Sequence, residues 1–254
     1  MLLTHNYHTH TARCGHASGT DRAYVEEAIR CGFDTLGFSD HTPYPFHGVD
    51  DSGIRMRCAE LEDYVRSVLA LREEYKSDIR ILLGLEVEYY PRFFAEWKTL
   101  VEPYPFDYFL LGQHFVGDEH DGVYSGWETD DPAVLKGYVD QTIEAMRTGL
   151  FLYLAHPDLI RYRDNRSPLY ETEMTRLCEA AKSLAVPLEI NLLGIWDRRW
   201  YPNPFFWEIA GRVQNEVVIG ADAHRPEKLY PKEALDEALR LIEVNRLHRK
   251  QILL

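Results

Sequence analysis

Seven short apolar runs recur along this chain, and a longer amphipathic segment follows each one. The runs are LLTHNYHTH (2–10), TLGFSDH (35–41), IRILLGLEVEY (79–89), FDYFLLGQHF (106–115), LFLYLAHP (150–157), PLEINLL (187–193) and EVVIGADAH (216–224). Helix candidates lie between them at 21–32, 59–77, 92–102, 131–149, 169–185, 203–214 and 231–247. Strict strand–helix alternation predicts an α/β fold on a parallel sheet, because a parallel crossover needs room for a helix. With no linker, fixed-period repeat or low-complexity tract, one domain spanning 1–254 is expected, as a closed or nearly closed barrel. Asp21 and Asp131 are the expected N-caps, with Pro132 in a first helical turn and Gly32 and Gly149 at C-caps. The irregular stretch 41–58 follows a strand end and reads as a loop over one mouth of the barrel.

Residues with chemical capability gather at one kind of place. His8 and His10 end the first run, Asp40 and His41 the second, and Glu86 and Glu88 fall near the end of the third. His114 ends the fourth and His156 the fifth. Glu189 and Asn191 lie in the sixth, and Asp222 and His224 end the seventh. In a parallel barrel all these ends meet at the C-terminal face. Residues two apart in a strand share a side, so His8 and His10 can both point inward, as can Asp222 and His224. Glu86 in an apolar strand is expensive unless paired or bound to a metal. Imidazole and carboxylate together suit Zn²⁺, Mn²⁺ or Fe²⁺, and the count suits two or three ions with a shared carboxylate.

Composition excludes other classes. Lys plus Arg number 28 against 41 Asp plus Glu, a formal charge of −13, which argues against a nucleic-acid or membrane surface. The four cysteines form no C-x-x-C pair, and a chain of this size needs no disulfide staples. The start lacks the basic and long apolar regions of a signal peptide, and no window has the apolar length of a membrane span. A soluble, cytoplasmic protein is expected. Cys14 is expected to be structural, since nothing near it argues for a lowered thiol pKa.

The spaced set HTH…H, SDH, GLEVEY, GQHF, AHPDL, EIN and GADAH resembles the polymerase-and-histidinol-phosphatase (PHP) superfamily of metal-dependent phosphoesterases, from residue 5 to about 228. HTHTARCGHA, FSDHTPYP and LEINLLGIWDRRWYPNPFFWEIAG carry a narrower likeness to its histidinol-phosphatases. The resemblance implies a distorted (β/α)7 TIM-like barrel with a trinuclear centre. His8, His10, Glu86 and Asp222 would hold one metal. Glu86 would bridge to a second, held also by His114 and His156, and His16, His41 and His224 would hold a third.

The implied reaction is hydrolysis of L-histidinol phosphate by a metal-bridging hydroxide, with Glu86, Asp222 and His224 as catalytic candidates. Asp222, or a water on the third metal, would protonate the leaving group. The resemblance implies arginines near the fifth and sixth strand ends for the phosphate. Arg161 and Arg163 follow AHPDL, and Arg198 or Arg199 follows GIWD. Glu88 is a candidate for the substrate amine, or else a salt-bridged carboxylate. Tyr89, Tyr90 and Trp196 are candidate aromatic walls. The alternatives are a phosphoesterase of the same fold acting on another small phosphorylated metabolite or nucleotide, and a metal-binding regulatory domain with little turnover.

Overall fold

The computed structural model describes residues 3–46, 52–252 and 254. In chain order the elements are β1 (His5–Asn6), α1 (Asp21–Cys31), β2 (Thr35–His41), α2 (Leu61–Glu74), β3 (Arg80–Val87), α3 (Phe94–Val101), β4 (Tyr108–Leu111), β5 (Phe115–Val116), β6 (Val123–Tyr124) and α4 (Pro132–Arg147). They continue as β7 (Phe151–Leu154), α5 (Pro168–Ser183), β8 (Leu188–Asn191), α6 (Leu192–Trp196), α7 (Pro204–Val213), β9 (Glu216–Gly220), α8 (Lys232–Val244) and β10 (His248–Arg249). Strands β1, β2, β3, β4, β7, β8, β9 and β10 form one parallel sheet in that order.

The sheet curls until its ends meet. Beyond β1, Thr9 bridges Ala223 beyond β9, with His10 N donating to Ala223 O at 3.0 Å and Ala223 N donating to His8 O at 3.2 Å. At the other end of β9, His248 and Arg249 of β10 pair with Glu216 and Val217. The Tyr7 hydroxyl donates to Ile252 O at 2.7 Å beside them. Seven strands therefore ring the mouth, and an eighth is wedged in at the floor. The alternation predicts seven strands. It misses β10, whose two exposed residues carry no apolar pattern. It also misses the antiparallel β5–β6 hairpin and the short helix α6, which Asn191 caps from the end of β8.

A barrel of few strands is narrow, because diameter grows with strand number. Its interior here is a small cluster of Tyr7, Leu82, Tyr108, Leu110, Tyr153, Ala155 and Val218. Glycine makes room for the largest of them. A Cβ at Gly84 would collide with the Tyr108 ring, and one at Gly37 with its hydroxyl. That hydroxyl donates to Tyr7 O at 2.7 Å and Phe38 O at 2.9 Å, tying three strands together. A much larger apolar core fills the space between sheet and helices.

Helix ends follow the sequence signals closely. Asp131 caps α4 by accepting from Ala133 N, with Pro132 in the first turn, and Gly32 closes α1 at φ 77°. The N-cap of α1 is Thr20, one residue before the expected Asp21, and the C-cap of α4 is Thr148, one before Gly149. Thr20 wins because its hydroxyl reaches Ala23 N, leaving Asp21 free to pair with Arg13 at 2.9 Å. Among the described residues no helix is long and apolar enough to cross a membrane.

Candidate metal centre

The structure brings nine side chains to the seven-stranded mouth, and most come from just past a strand rather than from within it. β1 ends at Asn6, before His8 and His10; β4 ends at Leu111, before His114; β7 ends at Leu154, before His156; β9 ends at Gly220, before Asp222 and His224. Once pairing stops, the backbone is free to turn its side chains into the opening. His156 (φ 29°) and Asp222 (φ 50°) do so in the left-handed region, which non-glycine residues rarely adopt. Two come from within strands: His41 is the last residue of β2, and Glu86 lies inside β3 on the same inward row as Leu82 and Gly84.

Glu86 is the hub. Its Oε1 lies 2.8 Å from His156 Nε2, 3.5 Å from His8 Nε2 and 3.7 Å from His114 Nε2. Its Oε2 lies 3.0 Å from His41 Nδ1 and 3.5 Å from His10 Nε2. Asp222 Oδ1 is 3.1 Å from His10 Nε2, 3.5 Å from His8 Nε2 and 3.3 Å from His224 Nδ1. His16 and His224 face each other with Nε2 atoms 3.0 Å apart. The donors gather as His8–His10–Asp222, as His8–Glu86–His156 and as His16–His41–His224, with ligand atoms of each group within 4.8 Å of one another.

Hydrogen bonding does not account for this crowding. Among the described residues nine buried side-chain polar atoms lack a hydrogen-bond partner, and five belong here: His8 Nε2, His10 Nε2, Glu86 Oε2, His156 Nδ1 and Asp222 Oδ1. A buried polar atom left unsatisfied costs about 1–3 kcal/mol. Convergent imidazole nitrogens and carboxylate oxygens, orphaned together, are the donor set that borderline divalent cations take. The residues fit metal ions.

A second layer aims these donors. His8 Nδ1 donates to Glu189 Oε1 at 2.8 Å, which leaves Nε2 facing the centre. Glu189 Oε2 also accepts from His156 N at 3.1 Å and from Asn191 Nδ2 at 2.9 Å, and that amide reaches Asp222 Oδ2 at 3.0 Å. His10 Nδ1 faces Asp40 Oδ1 at 3.4 Å, and Asp40 accepts from Thr11 and from His41 N. His16 Nδ1 is held by Cys14 O at 2.9 Å. Two glycines leave space for carboxylates: a Cβ at Gly112 would strike Glu86, and one at Gly220 would strike Glu189.

Charge is shared unevenly. Burial works against a charge on His8 and His10, yet the carboxylates prevail. Glu189, Asp222 and Glu86 hold His8 well above its ordinary value, while Asp222 and Asp40 push His10 up to about 9. Burial opposes the charge on His114 too, and Glu86 and Glu88 raise it. Burial and the charge on His10 then depress its neighbours: His16 is lowered, His41 is well below normal and His224 falls to about 3. Against burial, His114, His8 and His41 hold Glu86 far below the usual carboxylate range, and His8, His10 and His224 do the same for Asp222. Asp222 is thus held ionised and able to accept a proton, and bound cations would lower it further.

The mouth opens into a cavity of about 720 Å³. Its lining includes Glu86, His114, His156 and Asp222; the cations Arg199, Arg225 and Lys228 line it too, as does Asp197, together with Trp127, Trp196 and Ile54. Arg161, Arg163 and Arg198 are not among those residues. Arg161 pairs with Glu128 at 3.4 Å and stacks on Trp200, Arg163 pairs with Glu128 and Asp130 at 3.0 and 2.6 Å, and Arg198 is exposed. Arg199, the other expected candidate of its pair, turns inward because its Nε is held by Asp197 at 3.0 Å and its Nη1 by the Tyr201 hydroxyl at 3.1 Å. Glu88 also lines the cavity, but it is the salt-bridged carboxylate of the two expectations: Arg55 grips both its oxygens and His114 bonds one of them. Of the expected aromatic walls, Trp196 lines the cavity, while Tyr89 and Tyr90 are buried in the core. Cys14 is buried and donates to Thr11 O, and burial pushes its thiol up.

Of the loop expected over the mouth, residues 47–51 lie outside the described residues. Its second half contributes two residues that the sequence does not single out, Ile54 on the cavity wall and Arg55 beneath it. An isolated arginine in a polar loop gives no local signal of burial.

A seven-stranded barrel whose mouth gathers histidines and carboxylates defines a class. Residues 6–192 match the PHP domain family, and the chain belongs to it. Its curated relatives include a probable histidinol-phosphatase of Deinococcus radiodurans, 28% identical over 226 residues, covering 86% of this chain and 85% of the relative. The histidinol-phosphatase of Bacillus subtilis is 28% identical over 251 residues, covering 86% and 92%. Among solved structures, the histidinol phosphate phosphatase of Lactococcus lactis, in complex with zinc, L-histidinol and phosphate, matches with a TM-score of 0.73 at 21% identity, over 97% of this chain and 95% of that one.

Proposed function

We propose that the chain is a metal-dependent phosphomonoesterase that hydrolyses L-histidinol phosphate to L-histidinol and phosphate. The observation that carries the reading is the set of orphaned donor atoms in a cavity that Arg199, Arg225 and Lys228 also line. The two relatives named as histidinol-phosphatases, each covered over more than four fifths of its length, support the substrate.

His8, His10, Glu86 and Asp222 would hold one ion, Glu86, His114 and His156 a second, and His16, His41 and His224 a third. Zn, Mn and Fe all suit these donors. When bound, such ions supply Lewis acidity to phosphoryl oxygens and make a nucleophile available at neutral pH. Arg199 would grip the phosphoryl oxygens through the guanidinium edge not committed to Asp197 and Tyr201, with Lys228 and Arg225 adding positive potential. Asp222 would take a proton during attack, since its carboxyl is ionised. Tyr201, 2% exposed, lines the cavity beside Arg199.

The test is a panel of phosphomonoesters and diesters offered to the purified chain with Zn²⁺ or Mn²⁺, before and after chelation. Histidinol phosphate should be the preferred ester, and chelation should abolish turnover. Ready cleavage of another ester, with histidinol phosphate ignored, would replace this substrate. A fully loaded chain that turns over nothing would favour a metal-binding domain.

A further inference from the structure

Arg55 is the most heavily engaged cation near the metal centre and touches no proposed ligand. Its side chain is 3% exposed. Nη1 donates to Thr42 O at 3.0 Å and Glu88 Oε2 at 2.8 Å; Nη2 donates to Glu88 Oε1 at 3.0 Å and Tyr90 Oη at 3.3 Å; Nε donates to Glu119 Oε2 at 2.7 Å. The rings of Tyr44, Phe46 and Tyr90 surround the guanidinium at 5.8–6.0 Å. The grip on Glu88 is bidentate, which fixes both oxygens in a plane. One of them, Oε1, also accepts from His114 Nδ1 at 2.9 Å. His114 Nε2 then points at Glu86.

Three segments converge on this one side chain. Arg55 rises from the loop after β2, Glu88 lies just past β3, and Glu119 sits in the turn between β5 and β6. Ile54, next to Arg55, lines the cavity. Burying a guanidinium and two carboxylates is expensive, and apolar side chains of similar volume often serve a fold as well or better. Packing alone does not call for this arrangement. Fixing the oxygen that sets the tautomer and tilt of a ligand histidine does.

Given a metal held by Glu86, His114 and His156, we propose that Arg55 is a positioning residue: it locks Glu88, and through Glu88 it orients His114 toward the ion. Arg55 never meets the substrate. Its effect falls on one ion of the centre and leaves the ions on the other donor groups alone.

Zn²⁺ titration of the full chain against a competing chelator tests this in Arg55→Met, Glu88→Gln, the double variant and Arg55→Lys. Removing an outer partner of a ligand typically weakens metal binding about 10–100-fold. Arg55→Met should show that loss for one bound equivalent and wild-type affinity for the rest. In the Glu88→Gln background the same substitution should change affinity by less than about twofold, because its route is already cut. Arg55→Lys keeps the charge and loses the fork, so it should weaken the same equivalent by an intermediate factor with unchanged circular dichroism. This variant decides the matter if Arg55→Met does not fold. Wild-type affinity in a folded Arg55 variant, or an equal loss in both backgrounds, overturns the role of Arg55. A wild-type chain that takes up no divalent ion overturns the metalloenzyme reading and this role with it.

Discussion

Replacing Gly112 with alanine should disable the metal centre with a single methyl group. Gly112 lies next to the Glu86 carboxylate, and its backbone is outside the left-handed region, so alanine meets no conformational penalty there. The obstacle is steric. The new carbon would lie 2.6 Å from Glu86 Cδ and 2.7 Å from Cγ, and closer still to Oε1. Carbon contacts are favourable at about 3.5–4.0 Å, so the carboxylate has to retreat by about 1 Å. It has nowhere good to go, with His156 at 2.8 Å and His41 at 3.0 Å already against it. A misplacement of about 1 Å at a reacting centre costs on the order of a hundredfold in rate. Overpacking should also cost about 1–3 kcal/mol, which for a chain of this size lowers Tm by about 2–12 °C. Metal analysis after dialysis, kcat/KM on a phosphomonoester and a thermal melt measure the three effects. Adding Glu86→Asp, which shortens the acid by one carbon, should restore much of the Tm and none of the metal. Full metal content with kcat/KM within threefold of wild type would refute the position assigned to Glu86.

Arg199→Ala should lower kcat/KM by about thirty- to a thousandfold, the equivalent of roughly 2–4 kcal/mol of lost charge stabilisation, without changing metal content. Arg161→Ala and Arg163→Ala should stay within about twofold, as expected for exposed ion pairs. Zn²⁺ added to metal-free chain near pH 7.5 should release protons, seen with an indicator dye in weak buffer, because His8, His10 and His114 are raised and must be neutral to bind. The same raised groups stabilise the metal-free fold fully below their ordinary pKa near 6.5 and lose that effect as pH rises through about 9 for His10. His16, His41 and His224 are depressed, so their contribution falls away as pH drops below 6.5; melts of metal-free chain should therefore peak near pH 6.5 and decline on either side. Trp196→Ala and Trp127→Ala should each raise KM for histidinol phosphate about two- to tenfold, from roughly 0.5–1.5 kcal/mol of ring contact, and leave glycerol phosphate unaffected.

The parts of the site legible in sequence were those tied to strand ends. A parallel sheet collects its C-terminal ends in one place, so eight of the nine donors needed only the alternation to be brought together; His16, in the loop beyond β1, is placed only by the family resemblance. The side-chain period held for His8 with His10 and for Glu86 on the inward row of β3. The phosphate side was harder, because an arginine's destination depends on its partners. Arg161 and Arg163 follow a strand end as expected, yet Glu128 and Asp130 of a neighbouring loop hold them, whereas Asp197 steers Arg199 inward. Glu88 shares the inward face with Glu86, as the spacing required. Arg55, which claims it, lies 33 residues away in a segment with no pattern. Strand β10 and the β5–β6 hairpin, two residues per strand, are shorter than any period can reveal.

The seam where Thr9 meets Ala223 bears on how the chain is made. His16 and His224 face each other across it, yet 208 residues separate them in sequence. While the chain emerges from the ribosome, His8 and His10 have neither Asp222 nor His224 to complete a cage. A pair of imidazoles on a growing strand holds an ion only weakly and accepts most transition metals in the order of their intrinsic affinities. Geometry enters when β9 docks and the ring closes. Selection among metals would thus be deferred until β9 has been made and has docked, and it would fall to a closed ring whose converging donors can reject ions that a loose pair of histidines would take.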